Sequence, residues 1–441
     1  MKSRPYNNLV LLLAATVVVC GHFTAQAQRA FTLGLIPTNR NQIALAWKAQ
    51  AATPLGDFLI VPTFQVERSA DLLTWTPVGE LFAPTLNQLV VFSDSNSNRS
   101  FYRVQSIINL EYAQMDQIQL AFGQLAGADF FGANLLGSSF IQADLSGADF
   151  GGADLRQADF SDATVTQASF FDALAFQAVF AGADLSGADA SFGNFEDADL
   201  SNADLSGADF SSAILTGASL DFAIYKGMKL DSDTLIDPKP RLIWQIVNQG
   251  ATNAVLTNTD LSFASLIGAG FSGAKLSGSD FSASDLRTAD LRGANFSNAN
   301  LRFVDFRNAL LDGSTVIDSK SRLVWQILNQ NFGAGRDLHG SDLSSILLLG
   351  ANLSGANLSN TVCSSSVFET ANFGGASLKK ANCSGCDFFG AVLTNADLTQ
   401  AVFTSADFTG ANLRNATTNG ANFSGAVFNN TIMPNGSIRN F

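Results

Sequence analysis

From Leu120 onward a large apolar residue returns at every fifth position: Leu125, Phe130, Leu135, Phe140, Leu145, Phe150, Leu155, Phe160. Two places before each stands a small residue, nearly always alanine, as at Ala128, Ala143 and Ala148. Asp or Asn sits between the two (Asp144, Asn134), and two small or polar residues such as Ser146-Gly147 follow. A period of five fits neither the 3.6 of an amphipathic helix nor the 2 of a strand. Fixed-period self-similarity predicts a repeat architecture. If each five-residue unit forms one side of a coil, four units close a square turn of about 20 residues. One large side chain per side then points inward, and successive turns stack at about 4.7–4.9 Å. Stacking gives every exposed backbone group a partner. The geometry requires Phe130 and Phe150 to lie directly over one another.

The register holds from 120 to 230, with Ala175 and Ala190 as small residues at large positions. Leu174 or Phe176 is expected to compensate for the first. The phase then breaks at 231–255 and again at 312–337, separating a second block, 256–311, from a third with its C-terminal cap, 338–441. The two inserts resemble one another. Thr234 to Gln249 reads TLIDPKPRLIWQIVNQ, and Thr315 to Gln330 reads TVIDSKSRLVWQILNQ. Leu242, Ile243, Ile246 and Val247 follow the i, i+3, i+4 rule, as do Leu323, Val324, Ile327 and Leu328, so each insert predicts a short helix. Asp237 or Ser319 is the expected start. Trp244 and Trp325, with Arg241 and Arg322, read either as anchors holding the inserts to the solenoid wall or as a paired partner-binding surface. After Phe428 the pattern frays, and Met433 to Gly436 predicts a terminal turn.

The pattern A(D/N)Lxx, in dozens of units over about three-quarters of the chain, resembles the pentapeptide-repeat proteins. The resemblance implies an all-β fold, a right-handed quadrilateral β-helix interrupted here by two short helical inserts. It implies very little about activity. Some members of that family resemble DNA in shape and charge and protect topoisomerases.

Residues 28–108 lack the period of five. Alternation at Ile43-Leu45-Trp47 and Phe64-Val66, turn signals at Pro77-Val78-Gly79 and Ser93 to Asn96, and a closing Phe101 to Val104 predict six or seven short strands. They suggest a small β-sandwich. Trp47, the run Phe64 to Ser69, Asp71-Leu72 with Trp75, and Phe101-Tyr102-Arg103 resemble the immunoglobulin- or fibronectin-III-like domains of secreted bacterial proteins. Residues 109–119 are expected to link this domain to the solenoid or to cap its open end. Residues 1–27 read as an export signal: Lys2 and Arg4, an apolar core from Leu9 to Val19, and a small-x-small site at Ala25-Gln26-Ala27. The apolar run is short for a membrane span, and Val19 before Cys20 argues against lipidation. The mature protein is expected to be periplasmic, cell-surface or extracellular, with no transmembrane segment.

The 441 residues carry a formal charge of −13, which argues against binding nucleic acid through phosphates. The 37 phenylalanines fall mostly on the repeat and reflect internal stacking. Cys363 and Cys383 replace large inward residues 20 places apart, so they read as core-filling thiols or as a stacked disulfide, and Cys386 takes a small inward position. Catalysis needs unlike groups brought together. Here His339 stands alone in the mature chain, and there is no nucleophile elbow, phosphate loop, dinucleotide fingerprint or zinc helix. No catalytic residue, metal or cofactor is expected.

Asp129, Asp149, Asp189 and Asp209 should form one column, with Ser169 in the vacant rung, and Asp144, Asp184 and Asp204 another. Such columns favour cations or weak calcium binding, but Asp also bonds local backbone at turns, and that reading is preferred. Arg287, Arg292, Arg302 and Arg307 predict surface ion pairs with neighbouring aspartates. The expected function is a non-catalytic exported scaffold, a rod of roughly 14 turns and 65–70 Å, binding a protein or envelope component. The alternative is an acidic, DNA-mimic regulator of a topoisomerase. An enzyme acting on polysaccharide would need a cleft with clustered carboxylates, which no loop beyond the inserts is long enough to build.

Overall fold

The computed structural model describes residues 112–440, and before them six strands by their backbone pairing. The expected export signal and the side chains of the expected sandwich lie outside the described residues. Strands β1 (Thr32–Pro37), β2 (Gln42–Lys48) and β5 (Leu89–Ser93) form one antiparallel sheet in the order β1-β2-β5. Strands β3 (Thr63–Ser69), β4 (Thr76–Phe82) and β6 (Phe101–Ile107) form another in the order β4-β3-β6, with a bulge at Val66/Glu67. Pro77 lies on edge strand β4, where its missing N–H interrupts no inner ladder.

Where Asp or Asn precedes the large residue, the five-residue unit that follows leaves no backbone N–H without a partner. In the unit Ser146 to Phe150, Ser146 N donates to the Asp144 carboxylate at 3.1 Å and Gly147 N to Thr166 O at 2.8 Å. Ala148 N closes a turn onto Leu145 O, Asp149 N reaches back to Ala128 O, and Phe150 N reaches forward to Ser169 O. Three of these five bonds run to neighbouring coils, one closes the turn, and the Asp or Asn side chain supplies the last. The second turn residue takes a left-handed conformation, φ 66° at Gly147 and 55° at Gln142, as a type II turn demands. Parallel bridges join residues 20 apart from Gln114↔Asn134 to Asp209↔Lys229, and again, with one step of 21 at Asn295↔Val316, from Val255↔Lys275 to Asn412↔Ile432. The coil of about 20 residues predicted from the period is therefore the observed one.

The inward residues form the core. Phe130, Phe140, Phe150, Phe160, Phe170 and Phe180 are fully buried. Rings one coil apart stack in parallel planes, Phe130 over Phe150 with centroids 4.8 Å apart and planes 1° from parallel, and rings on adjacent sides meet edge-on, as Phe150 and Phe160 do at 89°. These are the two geometries the ring quadrupole favours. Ala175 and Ala190 are buried at large positions, and Leu174 does not compensate, because it is 46% exposed. Phe195 fills the space instead: its ring lies 5.8 Å from Phe180 and 5.3 Å from Phe210. It can lean there because position 193 is glycine, where an added Cβ would lie 2.6 Å from the Phe195 ring.

The chain divides into two compact units, Met1–Leu220 with Gly227–Asp237, and Asp221–Lys226 with Pro238–Phe441. In the first, regular coil begins at Tyr112, within the expected linker. Its last turn pairs β7 (Ile214–Leu215) with β8 (Leu235–Ile236), so residues 231–237 complete a coil and the insert is narrower than its loss of phase suggests. The second unit contains helices α1 (Pro238–Gln249) and α2 (Ser319–Gln330). Asp318 caps α2 by accepting from Ser321 N, which places the cap one residue before the expected Ser319. Pro238 opens α1, where its fixed φ suits the first helical turn. Left-handed Gly250 and Asn331 end the two helices. Bridged coil continues past Phe428 to Ile432, and β9 (Thr431–Ile432) then pairs with β10 (Ile438–Arg439) in a terminal hairpin.

Candidate binding surfaces

The aspartate columns stand where the period places them: Asp129, Asp149, Ser169, Asp189 and Asp209 are bridged in sequence, and Lys229 follows. Asp144 and Asp184 are joined through Thr164, and Asp204 follows Asp184. Each carboxylate has local work at its turn. Asp149 accepts from Gly151 N at 2.8 Å, Asp184 from Ser186 N at 2.9 Å and Asp209 from Ser211 N at 3.0 Å. Asn134 does the same for Leu136 N, so the role needs the carbonyl-like oxygen and not the charge. Among the described residues no group of three or more His, Cys, Asp or Glu could hold a metal ion.

The charge is unevenly distributed. Residues 112–220 carry fourteen aspartates and one glutamate against a single cation, Arg156, which itself pairs with Asp154 at 2.6 Å. In 256–311 five aspartates face five cations. There Arg287, Arg292 and Arg307 each pair with the aspartate two places earlier, at 2.7, 2.7 and 2.5 Å. Among the described residues the most acidic surface is thus the first block. One edge of that block also exposes aromatic rings. Tyr112 meets Phe131 edge-on at 5.7 Å, and Phe171 meets Phe192 at 5.5 Å. Successive backbone bonds place all four on one corner: Tyr112 N to Phe131 O, Gly132 N to Gly151 O, Gly152 N to Phe171 O, Asp172 N to Ser191 O, Phe192 N to Ser211 O. Tyr112 and Phe192 are 62% and 57% exposed. This ridge was hidden from the sequence, where the large period-five residues dominate, although folding the numbers on 20 would have aligned it.

The helical inserts repeat one set of contacts. On α2 the Trp325 indole donates to Ala309 O at 2.7 Å, and Asn329 Nδ2 donates to Phe306 O at 2.9 Å. Arg322 donates to Thr315 O, and Lys320 reaches Ser344 and Asp342 at 3.1 and 3.4 Å. On α1, Asn248 donates to Tyr225 O at 3.0 Å, while Lys239 reaches Ser262 and Asp260, both at 3.1 Å. Arg241 and Trp244 are half-buried. Bridging the missing coil, Phe222 N donates to Phe263 O, and Phe303 N to Ser345 O. The polar atoms of Trp325 and Arg322 are thus engaged within the chain.

Two acidic turns precede the helices. Asp231 accepts from Ser212 N, Asp233 N and Thr234 N, and the Ser212 N–H above all pulls its carboxyl far below the usual carboxylate range. Asp312 is held at about 2, first by the Ser314 hydroxyl and then by Gly293 N and Thr315. Thr234 and Thr315 donate to Phe210 O and Leu291 O, and Thr431 does so to Phe408 O at the C-terminal hairpin.

Cys363, Cys383 and Cys386 are buried free thiols. Cys386 Sγ donates to Cys363 O at 2.8 Å, in the way Ser366 donates to Leu343 O, and so acts as a small inward polar residue. Hydrogen bonding to Cys363 and Cys386, together with burial, pushes the Cys383 thiol well above its ordinary value, away from thiolate chemistry. His339 Nδ1 lies 2.9 Å from Ser359 Oγ on an exposed turn.

A family model described as pentapeptide repeats matches in eight copies, over residues 124–162, 178–217, 194–224, 251–282, 274–313, 337–375, 366–404 and 406–440, together more than half of the chain. Among solved structures, a pentapeptide repeat protein from the Arabidopsis thaliana thylakoid lumen is 29% identical, with a TM-score of 0.23 over 23% of this chain and 72% of that one. HetL, a pentapeptide repeat protein involved in heterocyst differentiation regulation in the cyanobacterium Nostoc, is 22% identical, with a TM-score of 0.14 over 74% of this chain and 92% of its own. Full-length QnrB1, a plasmid-mediated fluoroquinolone resistance protein, is 21% identical, with a TM-score of 0.14 over 47% and 93%. No curated protein matches.

Proposed function

Because the chain belongs to the pentapeptide-repeat family, we propose that it is a non-catalytic exported scaffold, a right-handed quadrilateral β-helix whose outer surface engages a protein or envelope component. The six strands of 32–107 belong, in this reading, to an immunoglobulin- or fibronectin-III-like sandwich at its N-terminal side. The carrying observation is the first block. Its aspartates serve their turns, yet asparagine does so equally well, so the excess of fourteen aspartates is a property of the surface and not a need of the fold. A field of one sign draws partners of the other, and the aromatic corner adds apolar area of the kind enriched at interfaces.

The substitution Asp→Asn at Asp129, Asp149, Asp189 and Asp209 keeps each turn bond and removes four charges. With full-length wild type as bait on envelope fractions, basic partners should be retained at low salt. They should be lost with the fourfold variant and at about 0.5 M salt, where screening is short-ranged. A captured set indifferent to both changes sinks the reading. So does fractionation that finds the protein in the cytoplasm with residues 1–27 intact.

A second reading has its own support. Stacked carboxylates at strand spacing on one face would suit an acidic mimic of DNA acting on a topoisomerase. Inhibition or protection in a gyrase supercoiling assay, abolished by the same fourfold variant, would favour it over the scaffold.

A further inference from the structure

The second unit contains a cavity of about 190 Å³ where α2 leaves the coil stack. Leu301 and Val304 of the second block, Val324 of α2 and Ile346 of the third block line it, with Arg302 and Lys320 among them. A water's share of volume is about 30 Å³, so the space takes roughly six heavy atoms. The apolar side chains lie beside polar ones, which include two cations, Arg302 and Lys320, and one carboxylate, Asp318, that is engaged in capping α2 through Ser321 N.

Arg302 is the exception among the four arginines of its block. Arg287, Arg292 and Arg307 follow Asp285, Asp290 and Asp305 by two places, and each is paired with it. Arg302 follows Asn300, whose amide turns to Asp280 at 3.0 Å. The Arg302 guanidinium donates to the Ser345 hydroxyl at 3.0 Å, and no ion pair joins it to a carboxylate among the described residues. Lys320 holds Asp342 only loosely, at 3.4 Å. The arrangement does not come from the insert motif as such. At the corresponding place beside α1, Asp221 stands for Arg302 and Phe263 for Ser345. Guanidinium groups take carboxylates in a planar, bidentate fashion.

We propose that this cavity binds a small carboxylate, its head on Arg302 with Lys320 nearby, and its short apolar tail against Leu301, Val324 and Ile346. A carboxylate with about four carbons matches the volume.

The test uses the full chain and titration calorimetry with acetate, butyrate, hexanoate, butyramide and inorganic phosphate. Butyrate should bind at least tenfold more tightly than butyramide and than acetate. Asn300→Asp restores the aspartate that the sister arginines have. It should leave the circular dichroism unchanged and weaken butyrate by at least tenfold, as should Arg302→Gln. Three results would overturn the proposal: no carboxylate binds, butyramide equals butyrate, or Asn300→Asp folds and binds as wild type does. Tighter binding of phosphate than of butyrate would overturn the ligand class.

Discussion

At the residue scale, the inward positions are set by volume and the outward ones by a single unsatisfied N–H. Alanine is the usual small inward residue, so Gly193→Ala is a change toward the repeat's own pattern and would ordinarily stabilise through the unfolded state. Here it should do the reverse, because the new Cβ meets the Phe195 ring at 2.6 Å. A loss of about 1–3 kcal/mol is expected, as for other overpacked cores, read from urea unfolding, and an unchanged or raised midpoint refutes it. Asp312 yields a pH prediction. Its carboxyl is depressed to about 2 in the fold, against about 3.9 when unfolded. A depressed carboxylate contributes stability that is present above the unfolded value and lost as pH falls through the folded one. The wild type should therefore lose stability relative to Asp312→Asn between about pH 4 and pH 2, and parallel pH profiles for the two would contradict this. The Asp/Asn turn role was legible in the sequence, because short side chains with an acceptor oxygen dominate that position, interrupted by residues such as Leu174, Val179 and Val392. The Phe195–Gly193 accommodation was not, since it depends on which ring leans into which gap.

At the element scale, a helix set into a coil stack must answer the carbonyls and N–H groups that the missing coil would have met. Asn329 does this on both sides: it donates to Phe306 O and accepts from Asn308 N, while also bonding Trp325 O. Asn329→Ala leaves Asn308 N without its partner and Phe306 O with Ala309 N alone, at about 1–3 kcal/mol if the N–H stays shielded from water. Limited proteolysis of the variant should cut within 319–330 well before wild type does, and equal cutting rates would show that α2 is held by its apolar side alone. That apolar side was readable from the i, i+3, i+4 spacing, and Ile243, Ile246, Val324 and Ile327 are indeed buried. The limits of the inserts were not readable. Loss of phase marks where the numbering shifts, but residues 231–237 keep coil geometry through β8 without keeping the pattern.

At the scale of the whole molecule, charge is segregated along the chain. Columns of like charge at strand spacing repel, and that repulsion is screened as the Debye length falls from about 30 Å at 0.01 M salt to about 8 Å at 0.15 M. Amide exchange over residues 112–220 should slow across that range, while exchange over 338–440, where acidic and basic residues nearly balance, should change little. An equal response in both stretches would mean that the surface field of the first block does not matter to its stability. The acidity was visible in the sequence as a total, and its confinement to one block follows from the same residues counted by segment.

The sequence by itself determined the coil. A period of five with one large residue per unit admits one way of burying every fifth side chain while each unit's N–H groups find partners, and local repetition is enough to specify it. Only the tertiary structure decided what happens where repetition fails: which ring fills the gap at Ala175 and Ala190, which residue caps α2, and which arginine is left beside a cavity. Those outcomes depend on contacts that span from three places, at the Asp318 cap, to 43, between Arg302 and Ser345. Each depends on the shape of a particular neighbour, which a periodic pattern does not encode.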